Sequence, residues 1–336
     1  MKIIVDMFGG DNAPKEALLG AAAAVKELGV EIIAVGDEEK VRACAAENGV
    51  SLDGITLHHA SDVLSMHDEP TDVLKKRPDS SMAVGLKMLH AGEGDAFVSA
   101  GSTGALLVGA TLLVKRLPGI RRPALATVVP GRPKPYLLCD CGANADCRPE
   151  MLVQFAHMGS AYMEKVMGVQ DPTVGLINNG TEESKGGQLQ LEAYQLLSKS
   201  DVHFIGNVEA RELNAGAADV AVCDGFTGNV VLKLTEGVAK MMSGMLKGVF
   251  LKNLGGKLAY LLTRSGMHEF KASMDYTEYG GAPILGVTAP VIKAHGSSNA
   301  KAFKNAVRQA KLCVENDVVG SIRSALATQA GKESAQ

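Results

Sequence analysis

The chain has 336 residues, a formal charge of −3, 46% hydrophobic residues and no tryptophan. Near-neutral charge leaves no electrostatic footprint for nucleic acid, and scarce aromatics remove the stacking platforms that single strands use. The start, MKIIVDMFGGD, reaches an acid after a short apolar run, which reads against a secretory signal. No apolar run approaches the ~20 residues that span a bilayer. The expectation is a cytoplasmic protein whose six cysteines are reduced thiols.

In chain order, the apolar run at 2–5 predicts a strand and 7–12 a Gly-rich turn, and Pro14 suits a first helical turn. Leu18, Ala21, Ala22, Val25 and Leu28 have helical spacing, closed by Gly29. A strand at 32–35 and a helix at 38–47 follow. Next come a helix at 81–90, a strand at 96–99 and a helix at 103–114. Strands are expected at 125–129 and 136–139, with 118–135 the most irregular stretch. A long helix runs from 149 to about 166. Strands at 174–177, 203–205 and 220–223 follow, with a helix between the first two. A last long helix begins after Ser297 and Ser298, which can cap it, and 329–336 reads as a frayed tail. Such alternation predicts a three-layer α/β/α unit over 1–330 with a largely parallel sheet. The unit is open to division into two intertwined α/β subdomains.

Five segments share one design, an apolar strand followed by small polar residues and a helix: 5–11, 98–105, 138–149, 176–186 and 223–229. Glycines let a ligand approach the backbone, and strand ends facing helix starts are where open α/β sheets bind ligands, anions especially. The last turn, CDGFTGN, adds the amide of Asn229. Ser99, Gly101, Ser102, Thr103 and Gly104 read either as an oxyanion or phosphate cradle or as a plain helix cap. Neither Gly-Lys-Ser/Thr nor G-x-G-x-x-G is present, so no nucleotide cofactor is supported. Lys185 reads either as a cation for a bound anion or as a solvated surface residue. Asp6, Asp11, Asp140, Asp146 and Asp224 are expected at one sheet edge, more as holders of loop N–H groups than as metal ligands. His295 can serve phosphate or a proton, or be a turn histidine. Cys139, Cys141 and Cys147 form C-x-C-x5-C without a nearby fourth zinc ligand, so no metal is expected.

The ordered stretches VDMFGGDNAP, VSAGSTGALL, CDCGANADCRPEMLVQFAHMG, GLINNGTEESKGG, FIGNVEARE, VCDGFTGNVVLKLTEG, YGGAPILGV and IKAHGSSNAKAF resemble the bacterial phosphate:acyl-[acyl-carrier-protein] acyltransferases, the PlsX family, over nearly the whole chain. The resemblance departs at Phe8, Ser102 and Ala210, where the family usually has Met, Asn and Gly. It implies transfer of a long-chain acyl group from acyl carrier protein to inorganic phosphate, giving acyl phosphate for phospholipid synthesis. It also implies a homodimer working at the membrane surface, without a cofactor, on an isopropylmalate dehydrogenase-like or phosphotransacetylase-like fold. Direct attack by phosphate needs no enzyme nucleophile. Lys185 and Asn229 are then the catalytic candidates. The phosphate and substrate candidates are Asp6, Gly9, Gly10, Asp11, Ser99, Gly101, Ser102, Thr103, Gly104, Asp140, Asn144, Asn178, Asn179, Gly228, His295 and Ser297. Alternatives are a coenzyme A-dependent phosphotransacetylase, an NAD- and metal-dependent decarboxylating dehydrogenase on a similar fold, and a non-catalytic lipid-surface or carrier-binding protein.

Residues 238–271 read as a protruding, amphipathic, basic helical hairpin broken at Gly255-Gly256. Apolar residues with six cations suit an anionic membrane surface or an acidic carrier, or else a core or subunit contact. Lys115, Arg116, Arg121, Arg122, Arg132 and Lys134 form a second basic stretch, either steering an acidic carrier or simply solvated.

Overall fold

A computed structural model of the chain describes residues 1–273 and 279–333. The strands are β1 (Lys2–Asp6), β2 (Glu31–Gly36), β3 (Ile55–His59), β4 (Ala96–Ser99), β5 (Ala124–Val129), β6 (Tyr136–Cys139), β7 (Thr173–Asn178), β8 (His203–Glu209), β9 (Val220–Val222), β10 (Ala282–Leu285) and β11 (Val291–Lys293). The helices are α1 (Lys15–Leu28), α2 (Glu38–Asn48), α3 (Ser81–His90), α4 (Thr103–Gly109), α5 (Pro149–Met167), α6 (Gln188–Leu197), α7 (Ala210–Leu213), α8 (Gly225–Leu251), α9 (Leu254–Leu262), α10 (Arg264–Ser273), α11 (Ala300–Glu315) and α12 (Val318–Glu333).

All described strands join one sheet in the order β3-β2-β1-β4-β11-β10-β5-β6-β9-β7-β8. Strands β3, β2, β1, β4 and β11 are mutually parallel, as are β6, β9, β7 and β8. The two parallel halves meet through antiparallel pairs β11/β10, β10/β5 and β5/β6. An odd number of reversals makes the halves run in opposite directions.

Successive side chains of a strand face opposite ways. Ile3 and Val5 therefore enter a core shared with Leu18, Phe155 and Phe303, while Ile4 enters another with Leu86, Phe97, Leu106 and Leu138. The sheet is buried on both faces, as covered parallel sheets are. This is the predicted three-layer architecture. Val231 and Leu232 place the start of α8 against the second core.

Local details differ from the sequence reading. The helix over 103–114 is α4 followed by a π-helical turn at Ala110–Lys115. Asn299, not Ser297 or Ser298, caps α11 by accepting from Ala302 N at 3.0 Å. Helix α12 runs through Glu333, so much of the expected tail is helical, and 334–336 lie outside the described residues. The 238–271 segment is the end of α8 followed by two short helices. Its break falls at Lys252-Asn253, because Asn253 caps α9 through Gly256 N at 2.8 Å, and Gly255-Gly256 lie inside α9's first turn. The side chains of Glu269 and Lys271 in that segment lie outside the described residues.

Candidate active site

The expected shared edge resolves into separate places, because the half-sheets run oppositely. The turns after β1, β4 and β11 form one cluster. Those after β6, β9 and β7 lie on the reversed half.

In the first cluster Asp6 is the buried frame. One carboxylate oxygen accepts from Ser81 Oγ at 2.6 Å and from the N–H groups of Phe8 and Gly9 at 3.1 Å; the other accepts from Ser99 Oγ at 2.6 Å. Ser99 Oγ in turn accepts from Gly101 N at 3.0 Å. Burial raises the Asp6 pKa, and these donors oppose the rise. A side chain at Gly9 would meet Asp6, Gly101 N and Ser99 within 2.8 Å, so only glycine lets the turns touch. Gly10 has φ +96°, and Asp11 N donates to Gly296 O at 2.8 Å, tying this turn to the one after β11. There His295 Nδ1 lies 2.8 Å from Ser297 Oγ. Ser102 takes its cap role, accepting weakly from Ala105 N at 3.5 Å, with Thr103 and Gly104 in the first turn of α4.

Sequence reasoning passed over Lys293, the last residue of β11. It is 8% exposed, and its Nζ donates to the carbonyl oxygens of Ala100 and Ala294. Burial lowers its pKa to about 8, against the opposing pull of Asp6 and Asp11. A lysine two residues before a His-Gly-Ser turn was the available signal, hidden because 291–293 is too short a run to read as a strand.

In the second place, Asp140 accepts from the N–H groups of Leu125 at 3.0 Å, Ala143 at 3.2 Å and Asn144 at 2.6 Å. Asn144 Nδ2 bonds back to Asp140 and to Pro123 O. Both side chains hold the turn. Asp224 caps α8 through Thr227 N and Oγ1, each at 2.8 Å. A side chain at Gly228 would run into the Asp140 carbonyl oxygen, so glycine alone lets α8 begin against this turn. Asn229 follows on the first turn of α8. A Cβ at Gly142, which has φ +134°, would stand 3.7 Å from Asn229 Oδ1, so the amide faces a bare backbone.

The loop after β7 is neighbour to this turn, since β7 pairs with β9. Asn178 closes the loop, donating to Lys185 O at 3.0 Å and accepting from Asn179 N at 2.8 Å. Lys185 is half-exposed, with Nζ 4.0 Å from Glu182. Lys185 and Asn229 thus occupy neighbouring strand ends.

Helix α8 links the two halves. Asn229, Lys233 and Glu236 lie on one helical face (i, i+4, i+7), and Lys233 Nζ pairs with Glu236 at 2.9 Å. Burial first, then the charges of Lys233 and Lys293, lower the His295 pKa. Lys233 also acts on Lys293 and on buried Cys141. Lys233 on α8 thus lies within electrostatic reach of Lys293 and His295 in the first cluster and of Cys141 beside the Asp140 turn. Burial pushes the thiols of Cys139, Cys141 and Cys223 well above their ordinary value, and that of Cys147 to about 12, making them poor nucleophiles. Among the described residues no three His, Cys, Asp or Glu side chains are grouped to hold a metal ion. The expected basic stretch is partly spent on structure: Lys134 pairs with buried Asp219 at 2.5 Å, and Arg116 donates to the carbonyls of Ile120 and Arg121.

This architecture recurs in solved structures. A phosphotransacetylase from Streptococcus pyogenes matches with a TM-score of 0.64 and 20% identity, over 96% of this chain and 94% of that one. A branched-chain phosphotransacylase from Enterococcus faecalis V583 matches with a TM-score of 0.57 and 16% identity, over 94% and 100%. The fold is thus that of the phosphotransacetylases. The family model described as "Fatty acid synthesis protein" matches residues 1–321. Curated relatives named phosphate acyltransferase are 46% identical in Thermoanaerobacterium thermosaccharolyticum, over 96% of each chain, and 47% identical in Alkaliphilus oremlandii, again over 96% of each. The chain belongs to this family of phosphate acyltransferases, enzymes of fatty acid synthesis.

Proposed function

We propose that the enzyme moves a long-chain fatty acyl group from the thioester of acyl carrier protein to inorganic phosphate, releasing acyl phosphate for phospholipid synthesis. The observation that carries this reading is α8, whose first turns bring the Asn229 amide and the Lys233 cation between the Asp140 turn and the cluster of Lys293 and His295, while burial keeps the nearby thiols from acting as nucleophiles. A phosphate oxygen attacks the thioester carbonyl carbon directly. The tetrahedral oxyanion collapses, the C–S bond breaks, and the carrier leaves as thiolate and takes a proton from solvent. Positioning and charge stabilisation suffice for such a reaction.

Asn229 and the N–H groups at the start of α8 polarise the carbonyl. Lys185 supplies positive charge to phosphate or oxyanion from the neighbouring loop. The first cluster, with Gly9, Gly10, Gly101, His295 and Ser297 over Lys293, receives phosphate, while Asp6 and Asp140 hold the turns. A carboxylate-lined phosphate site needs a cation beside it, and Lys293 is that cation.

The enzyme works in the cytoplasm, peripherally on an anionic membrane. Support comes from the exposed Met245, Leu254, Leu258, Leu261 and Leu262, accompanied by Lys240, Lys247, Lys252 and Lys257. Among the described residues no helix is long and apolar enough to cross a membrane. The stripe Phe226, Val230, Leu234 and Met241, exposed along α8, suits a second copy in a homodimer.

The test is phosphate-dependent release of free carrier from palmitoyl-acyl carrier protein, with palmitoyl-coenzyme A alongside. Carrier release accompanied by acyl phosphate supports the reading. Turnover only with coenzyme A assigns a phosphotransacetylase instead. No phosphate-dependent release from either thioester removes the reaction.

A further inference from the structure

A groove of about 890 Å³ lies along α8. Its walls are α8, the returning α10 with Phe270, and the turn between β5 and β6. The volume is that of a ligand site, for which about 300–1,000 Å³ is usual. Leu232, Ala239 and Met242 on α8 give it an apolar side, and Arg132 stands exposed on its rim, with Arg211 beside it paired to Glu209 at 2.6 Å.

The groove lies along the same helix that carries Asn229. Asn229, Leu232, Glu236 and Ala239 repeat at three- and four-residue steps, so they form one row. Glu236 pairs with Lys233 and also lines the groove. From Asn229 to Met242 the row covers about 20 Å at 1.5 Å per residue. A two-carbon acyl group has no use for such a length, whereas a long unbranched chain fills it. Beyond Met242 the same helix carries the exposed Met245 and Val249, so the far end of the groove opens toward an apolar surface.

We propose that this groove is the acyl-chain site of the enzyme. The thioester carbonyl rests at Asn229, the hydrocarbon tail lies along Leu232, Ala239 and Met242 beneath Phe270, and the exposed Arg132 meets the anionic arm that carries the acyl group. The assignment rests on the acyl-transfer reading above and adds the place and length of the substrate. Charge complementarity is what favours this occupant. Arg132 puts a cation at the rim where an acyl carrier is anionic, and the wall beneath is apolar where the acyl tail is.

Two measurements on the full-length protein test it. The first is the ratio of kcat/KM for hexadecanoyl over butanoyl thioester on one carrier, in wild type and in Ala239→Trp. Ala239 is only half-buried, so the indole enters the groove without breaking a core. The ratio is expected to fall by about tenfold or more, equivalent to about 1.4 kcal/mol of lost discrimination. The second is binding of the fluorescent fatty acid cis-parinaric acid, expected to be displaced by hexadecanoate and weakened to the same degree in Ala239→Trp and Met242→Trp. An unchanged ratio with unchanged parinaric acid binding overturns the assignment, as does a change confined to the sedimentation of the variants, which would give the groove to a second copy. Parinaric acid binding that Ala239→Trp abolishes, in a protein that releases no thiol with phosphate, keeps the groove and removes the reaction. Phosphate-dependent release with an unchanged ratio does the reverse.

Discussion

Replacing Lys293 with methionine should make the protein more stable and nearly inactive. The side chain is 8% exposed, and burial brings its pKa from 10.5 to about 8. A drop of about 2.5 (10.5 − 8), at about 1.4 kcal/mol per unit, means that the folded protein holds this cation at a cost of about 3 kcal/mol at neutral pH. Methionine fills similar space without charge, but leaves the carbonyls of Ala100 and Ala294 without this donor, at about 1 kcal/mol each. The net expectation for Lys293→Met is a gain of about 1 kcal/mol at pH 7, read as a higher urea midpoint at constant m-value. Linkage gives a second signature. Between pH 8 and 10.5 the unfolded lysine holds a proton that the folded one has released, so wild type gains stability as pH rises through that window. The variant lacks this gain, and its advantage shrinks toward high pH. Phosphate-dependent turnover should meanwhile fall about a hundredfold, the scale of losing one preorganised donor or cation. Wild-type turnover should decline as pH rises through about 8, where Lys293 loses its charge. A variant that is destabilised by more than about 2 kcal/mol, or that keeps full turnover, would refute the reasoning.

Asn229→Ala should lower kcat about a hundredfold with little change in melting temperature, since the side chain faces bare backbone; steady-state kinetics with a thermal melt reads both. Lys185→Ala should cost a comparable factor, and unaltered kinetics would return this residue to the solvated surface. Asp6→Ala strips an acceptor from Ser81, Ser99 and the N–H groups of Phe8 and Gly9. It should destabilise the fold by about 3 kcal/mol in urea unfolding. Gly228→Ala should push the start of α8 off Asp140 and cost about 1–3 kcal/mol together with most activity. Leu258→Asp with Leu262→Asp should abolish flotation with anionic vesicles while leaving the unfolding midpoint within about 0.5 kcal/mol, because both side chains are exposed.

The elements were largely legible from local pattern. Apolar runs closed by glycine marked β1, β4 and β9, helical spacing marked α1 and α5, and the small polar turns between them marked where ligand chemistry can lie. Short strands escaped this reading. β10 and β11 contain or follow prolines, and three or four residues carry too little periodicity to separate a strand from a loop. Ser297 and Ser298 looked as good a cap as Asn299, since all three side chains can accept a hydrogen bond and only the chain direction at 299 chooses among them.

Tertiary pairing decided what the turns do together. Nothing local announces that β5 pairs antiparallel with β10 across more than 150 residues of sequence, as Leu125 does with Ile284. The sheet's reversals separate Asp6 from Asp140 and leave α8 to join their neighbourhoods through Lys233. Burial of Lys293 is likewise a property of its packed neighbours. The identity of the residue follows from the sequence, but the shift in its pKa comes from the water that Ala100, Ala294 and the turns of Asp6 and Asp11 exclude. The sequence by itself determined element type, turn chemistry and family, because these depend on neighbours along the chain. Which turns meet, which cation is dry and where a long apolar substrate can lie depend on neighbours in space, and only the folded sheet supplies them.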